Sequence, residues 1–187
     1  MSRDLAELGH HVVGIDASRT LVTAAVEAAP AIPALVADAA ALPISSGSCD
    51  VVVAYLSLQD VDDMPRAVGE IARVLEPGGH LCMAIVHPIN SAGYFASDEP
   101  EATFEIKGSY FDATRYDDRI ERSGLTMTFS GVHRPLASYF AALEAAGFAI
   151  ESLREVRVDE ASAAEASHHR RWLRVPMFLD LRAKKVR

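Results

Sequence analysis

Two aspartates that each follow a short apolar run are the residues best placed to do chemistry. Asp16 ends the run His10–Ile15, in which Val13 and Ile15 share a face, and Asp38 follows Ala34–Ala37. A carboxylate only accepts hydrogen bonds, so both suit a ligand rich in hydroxyl and amino donors. At a strand end of a nucleotide-binding α/β sheet an acidic residue accepts from ribose hydroxyls. Each also has a plainer use: Asp16 can cap a helix beside Ser18, and Asp38 can cap the turn before Leu42-Pro43. Tyr55, Leu56, Ser57 and Gln59 follow the run Val51–Ala54 and fall in the carboxyl-end crevice where open α/β sheets bind ligands. His87, Asn90, Tyr94 and His133 are further polar candidates, and a histidine in this setting is as readily a satisfied structural group. No Ser-His-Asp order, carboxylate pair or Cys/His ligand set stands out. His168 and His169 are adjacent and cannot share a helix face as an i, i+4 metal pair would. No catalytic residue and no metal ligand is therefore assigned.

The stretch from Leu42 to Pro88 must position these groups. Asp50 opens Val51-Val52-Val53-Ala54, a β-branched run too short for a free helix, which predicts a strand buried on both faces. A helix follows, with Asp62 and Asp63 as capping candidates and Pro65 in its first turn. Val68, Ile71, Ala72 and Leu75 recur at helical spacing and give it one apolar face. Pro77-Gly78-Gly79 is expected to stop it, and His80–Val86 to form a second buried strand. Strand, helix and strand make one βαβ crossover.

Around this unit, Ser2–Leu8 reads as a helix ended by Gly9, and Val22, Ala25, Val26 and Ala29 mark a second helix. From Pro88 to Val132 the chain turns polar and aromatic, with alternation at Phe104–Ile106 and Leu125–Phe129 and a turn at Ser123-Gly124. This predicts an inserted lid carrying a β-ribbon, whose aromatics either line an apolar acceptor pocket or close a satellite core. Pro135 then starts a helix with Leu136, Phe140 and Leu143 inward and Gly147 at its end. Phe148–Val158 is a strand, Asp159–Arg171 a partly helical connector, and Val175–Val186 a final strand.

The pieces VVGIDAS, ADAAALPISSGSCDVVVAYLSLQ, RVLEPGGHL and HRPLASYFAALEAAGF, in this order, resemble the class I S-adenosylmethionine (SAM)-dependent methyltransferases, in particular the type 11 small-molecule group. The resemblance covers roughly residues 1–90 and 133–187. It implies a Rossmann-like α/β sheet, mostly parallel with an antiparallel C-terminal strand. It implies one domain, with a cofactor-binding part at 1–90, the lid at 91–132 and a C-terminal helix and strands at 133–187. Asp16 with Ala17 would hold the ribose, and Asp38 with Ala39 the adenine amine and a ring nitrogen. Tyr55 and Leu56 would meet the amino-acid part of the cofactor, and Gln59, His87, Tyr94 and His133 the methyl acceptor. The family's first strand and glycine-rich loop are expected ahead of Ser2, and none of the eleven glycines forms a GxGxG or GxGxxG. Their absence would leave a gap between the His10–Ile15 and Val51–Ala54 strands, weak SAM binding by residues 1–187 alone, and homo-oligomer formation through exposed strand edges.

Length and composition bound the alternatives. A chain of 187 residues, half of them hydrophobic, suits one domain with one core. A net charge of −8 argues against a nucleic-acid partner. The lack of a long apolar run or leader argues for a cytoplasmic protein without a membrane span. Cys49 and Cys82 read as buried free thiols. The function these features imply is methyl transfer from SAM to a small-molecule acceptor. A non-catalytic or inactive truncated methyltransferase-like module is the alternative. An NAD(P)-dependent dehydrogenase shares the ribose-binding aspartate but fits Asp38-Ala39-Leu42-Pro43 poorly.

Overall fold

The computed structural model describes residues 1–122, 125–165 and 167–186. Helix α1 (Ser2–Glu7) gives way to Gly9, whose left-handed φ of 92° reverses the chain. Strand β1 (Gly14–Asp16) leads into α2 (Arg19–Ala28), capped by Ser18, whose hydroxyl accepts the Leu21 N–H at 3.3 Å. Strand β2 (Ala34–Val36) pairs parallel with β1, from Gly14 opposite Ala34 to Asp16 opposite Val36. Both strands are shorter than expected. Pro33 has no N–H to extend the ladder backwards.

The central crossover forms as its pattern requires. Strand β3 (Cys49–Tyr55) pairs parallel with β4 (Leu75–Val86), and α3 (Met64–Val74) connects them. Asp63 caps α3 by accepting the Arg66 N–H at 3.2 Å, and Pro65 sits in the first turn. Met64, Ala67, Val68, Ile71, Ala72 and Val74 are buried. The helix ends at Val74, ahead of the Pro-Gly-Gly expected to stop it, and those three residues lie inside β4. They make an irregularity there: pairing shifts register between Cys49 and Val51, and a methyl carbon at Gly79 would stand 3.0 Å from the carbonyls of Asp50 and Glu76.

The segment after β4 begins with the short α4 (Pro88–Ser91) and the antiparallel pair β5 (Gly93–Phe95) and β6 (Phe104–Ile106). A longer ribbon follows, β7 (Thr114–Arg122) against β8 (Leu125–His133). The Ser123-Gly124 turn expected between them lies outside the described residues. Phe95 packs edge-on against Phe104 and Trp172, with Arg171 over its ring, so these aromatics close a satellite core. Helix α5 (Leu136–Ala145), strand β9 (Phe148–Val156), helix α6 (Glu160–Glu165) and a 3₁₀ segment (Ser167–Leu173) lead to β10 (Phe178–Lys185). Strand β10 runs antiparallel between β4 and β9, giving a four-stranded sheet in the order β3-β4-β10-β9.

The core lies on one face of that sheet. Leu81, Met83 and Ile85 of β4 and Leu179, Leu181 and Ala183 of β10 meet α3 and α5 there. The opposite face is open, which corrects the expectation of a strand buried on both sides: Val51, Val53 and Tyr55 are 42%, 37% and 57% exposed. Alternation sends these side chains away from α3 and α5, and no helix among the described residues covers them. The sheet is also divided. Among the described residues β1 pairs only with β2, and β3 only with β4. Cys49 and Cys82 are unpaired and half-buried rather than buried. No helix among the described residues is long and apolar enough to cross a membrane.

Candidate functional site

Parallel pairing in register brings Asp16 and Asp38 to the same end of neighbouring strands. The Ala37 N–H donates to the Asp16 carbonyl at 3.1 Å, which ties the two strand ends together. Asp16 Oδ1 accepts the Ser18 N–H at 2.7 Å, and Asp38 Oδ1 accepts the Ala40 N–H at 2.8 Å. Each carboxylate thus gives one oxygen to its own turn and presents the other at an exposed position. Both the binding and the capping readings of these residues are therefore compatible with one geometry. Ala17 is exposed beside Asp16, whereas Ala39 packs against the core. A shallow concavity lined by Ala6, His10, His11 and Pro33 lies at the other end of β1 and β2, away from these groups.

The segment after Asp38 is held by a latch with no signal in the local pattern. Arg73 on α3 donates to the Leu42 carbonyl at 2.9 Å and to the Ile44 carbonyl at 2.8 Å. Its Nε pairs with Glu70 at 2.7 Å, and Glu70 accepts the Leu42 N–H at 2.8 Å. The Arg73 hydrogen bonds, helped by that N–H, hold the Glu70 carboxyl below its ordinary range.

At the end of β3 the backbone leaves the ordinary regions. Leu56 has a φ of 49°, the one left-handed non-glycine among the described residues, and its N–H donates to the Ala84 carbonyl at 2.8 Å. Such a residue costs on the order of 1–3 kcal/mol and is typical of functional turns. Tyr55 is exposed on the open face, and Ser57 is exposed beyond it. Gln59 points the other way: it is 6% exposed, and its Oε1 has no hydrogen-bond partner. An orphaned buried acceptor of this kind costs about 1–3 kcal/mol unless a ligand or water supplies a donor.

The two histidines are engaged elsewhere. His87 Nδ1 accepts the Ile89 N–H at 3.1 Å, so Nε2 carries the proton and donates to Glu155 at 3.1 Å. His133 Nε2 lies 2.9 Å from the Tyr110 carbonyl, which only a donor can satisfy, and Nδ1 lies 2.8 Å from the Ser91 hydroxyl. Tyr94 is exposed and donates to Glu105 at 3.1 Å, its cross-strand neighbour. None of these three is bonded to the strand-end groups. Asn90 donates to the Met177 carbonyl at 3.3 Å.

Burial pushes the His87 pKa down, opposed by Glu155. The unfolded chain then binds this proton more readily than the folded one. The contribution of His87 to stability is present above the ordinary histidine value of about 6.5 and is lost as pH falls below it. Urea unfolding at pH 7.5 and 5.5 should show a smaller loss of stability on acidification in His87→Gln than in the parent. Equal losses would place the proton uptake on other groups.

Among the described residues no group of three His, Cys, Asp or Glu side chains is placed to hold a metal. Residues 1–83 match the family model described as a methyltransferase domain. A demethylmenaquinone methyltransferase of Renibacterium salmoninarum is 34% identical over 88 residues, 46% of this chain and 37% of that protein. A malonyl-[acyl-carrier protein] O-methyltransferase of Pectobacterium atrosepticum is 32% identical over 83 residues, 44% of this chain and 33% of that protein. The matches thus span about a third of the length of these curated relatives. In structure, an S-adenosylmethionine-dependent methyltransferase from Mesorhizobium loti superposes with a TM-score of 0.78 at 26% identity, covering 97% of this chain and 84% of that one. Residues 1–83 thus match a methyltransferase domain, and the chain carries the α/β fold of an S-adenosylmethionine-dependent methyltransferase.

Proposed function

We propose that the chain transfers a methyl group from SAM to a small-molecule acceptor. The observation that carries this reading is the pair Asp16 and Asp38, in register at one end of adjacent parallel strands, each with a carboxylate oxygen outside its own turn. SAM presents ribose hydroxyls, an adenine amine and an ammonium group, all donors. The two carboxylates are acceptors, so donor and acceptor chemistry match. Bound there, the cofactor would supply a methyl group on a sulfonium leaving group.

In this reading Asp16, with Ala17 beside it, holds the ribose. Asp38 takes the adenine amine, and the Ala39 N–H a ring nitrogen. The Arg73 latch keeps the segment after Asp38 in place. Tyr55 and Leu56 face the amino-acid portion, and Gln59, His87, Tyr94 and His133 belong to the acceptor side. Residues 91–132 act as a lid on a single domain. Orientation is the main catalytic contribution, since positioning of reactants can lower a barrier by about 7–11 kcal/mol. The relatives' names, which specify demethylmenaquinone and malonyl-[acyl-carrier protein], favour such an acceptor over nucleic acid. The charge of −8 favours the same choice. We place the protein in the cytoplasm, without a membrane partner, and expect self-association through the free edges of β1 and β3.

Calorimetric titration with SAM, with its demethylated product S-adenosylhomocysteine and with NADH tests the reading. Binding of the first two and not of NADH is expected. Binding of NADH alone would favour a dehydrogenase, and binding of none a non-catalytic module.

A further inference from the structure

We propose that Asp60 is the proton acceptor for a hydroxyl- or amine-bearing methyl acceptor, presented to it by the loop after β3 and roofed by the β7–β8 ribbon. This rests on the methyltransferase reading above.

Asp60 closes the 3₁₀ turn Leu58–Asp60 that follows the left-handed Leu56. Leu58 and Gln59 turn into the core, so the third residue of the turn is directed outward, at the carboxyl end of β3. The backbone on both sides of Asp60 is clamped. Arg134, itself buried, donates to the carbonyls of Gln59 at 3.4 Å, Val61 at 2.6 Å and Asp62 at 2.9 Å. A guanidinium spanning three carbonyls around one residue holds that residue's Cα firmly and leaves its side chain unbonded.

The ribbon comes close to the same carboxylate. A methyl carbon at Gly131 of β8 would stand 3.2 Å from Asp60 Oδ1, and 2.6 Å from the hydroxyl of Tyr116, which lies opposite Gly131 across the ribbon. Glycine at 131 is what lets the ribbon approach.

The neighbouring carboxylates are committed, and Asp60 is not. Asp62 pairs with Arg115 of β7 at 2.6 Å, and Asp63 caps α3. Asp16 and Asp38 bond to their own turns. Among the described residues Asp60 makes no ion pair and no side-chain hydrogen bond. Desolvation pushes its pKa up, and no cation offsets the shift. A carboxylate of raised proton affinity at a ligand-binding strand end has what a general base needs.

The step balances. The acceptor's oxygen or nitrogen forms a bond to the methyl carbon while its proton passes to the Asp60 carboxylate. The carbon–sulfur bond breaks, and its electron pair stays on sulfur. The products are the methylated acceptor, a neutral thioether and a protonated Asp60.

The test is a ¹³C-carboxyl NMR titration of the protein saturated with S-adenosylhomocysteine, with phenol and aniline as hydroxyl and amine probes, repeated in Asp60→Asn. Asp60 is expected to titrate above the ordinary aspartate value, and its resonance to move with phenol or aniline while that of Asp62 does not. Asp60→Asn should keep S-adenosylhomocysteine affinity within twofold and lower phenol affinity at least tenfold. An Asp60 that titrates at or below the ordinary value, or ignores both probes, overturns the proposal. So does a tenfold loss of S-adenosylhomocysteine binding in Asp60→Asn, which would make the residue part of the cofactor site. Failure of the parent protein to bind S-adenosylhomocysteine overturns the methyltransferase reading itself and is seen before any probe is added.

Discussion

Replacing Asp16 by alanine should weaken SAM binding roughly ten- to 150-fold. The basis is geometric. One carboxylate oxygen is already spent on the Ser18 N–H, and the other stands exposed beside the end of β2. Hydrogen bonds to a charged acceptor contribute about 1.5–3 kcal/mol, which converts to that range of affinity. The substitution also removes the Asx turn ahead of α2, but Ser18 still caps the helix through the Leu21 N–H. Thermal stability should therefore fall far less than affinity. Calorimetry on Asp16→Ala and Asp16→Asn separates the two roles, because asparagine keeps the turn and loses the charge. An affinity unchanged in both variants would return Asp16 to its capping role alone.

The largest stability loss should come from the row of side chains that joins the crossover to the C-terminal strand. Leu81 is fully buried in β4, opposite Val52 on one side and Ala183 on the other. Neither neighbour is large enough to fill its place. Leu81→Ala should cost about 2–5 kcal/mol, near the upper end if the site does not collapse. Urea unfolding with an unchanged slope should report this as a lower midpoint. The exposed Val53 supplies the control. Val53→Thr on the open face should change stability by less than about 0.5 kcal/mol. A comparable loss at Val53 would mean that the open face is covered in solution.

The local pattern was a good guide wherever a residue's role depends on its own segment. Val68, Ile71 and Ala72 are buried on α3 as their spacing requires, whereas Leu75 is buried in β4; Pro65 sits in the first turn, and Gly147 ends α5 with a left-handed φ of 79°. Helical periodicity encodes one face of one helix, and that face is legible without knowing what covers it. Asp16 and Asp38 were legible for a related reason. A polar residue at the end of an apolar run is a strand end, and parallel strands joined by a helix place those ends on one side.

What the tertiary structure decided involves pairs far apart in the chain. The apolar run of β3 reads as buried on both faces, yet only the layer that actually packs on a sheet determines burial, and only one layer does so here. Helix α3 stops before its proline because Leu75 finds a strand partner in Cys49. The Arg73 latch reaches back 31 residues to Leu42, and Arg134 reaches back 75 to Gln59. His87 and His133 look like free polar candidates until Glu155, Ser91 and Tyr110 close around them. Sequence by itself determined the α/β class, the crossover and the strand-end carboxylates, because local periodicity and chain direction specify them. Only the assembled sheet and ribbon decided which polar groups are spent on structure and which, like Asp60, are left to do chemistry, because that depends on partners brought together across the fold.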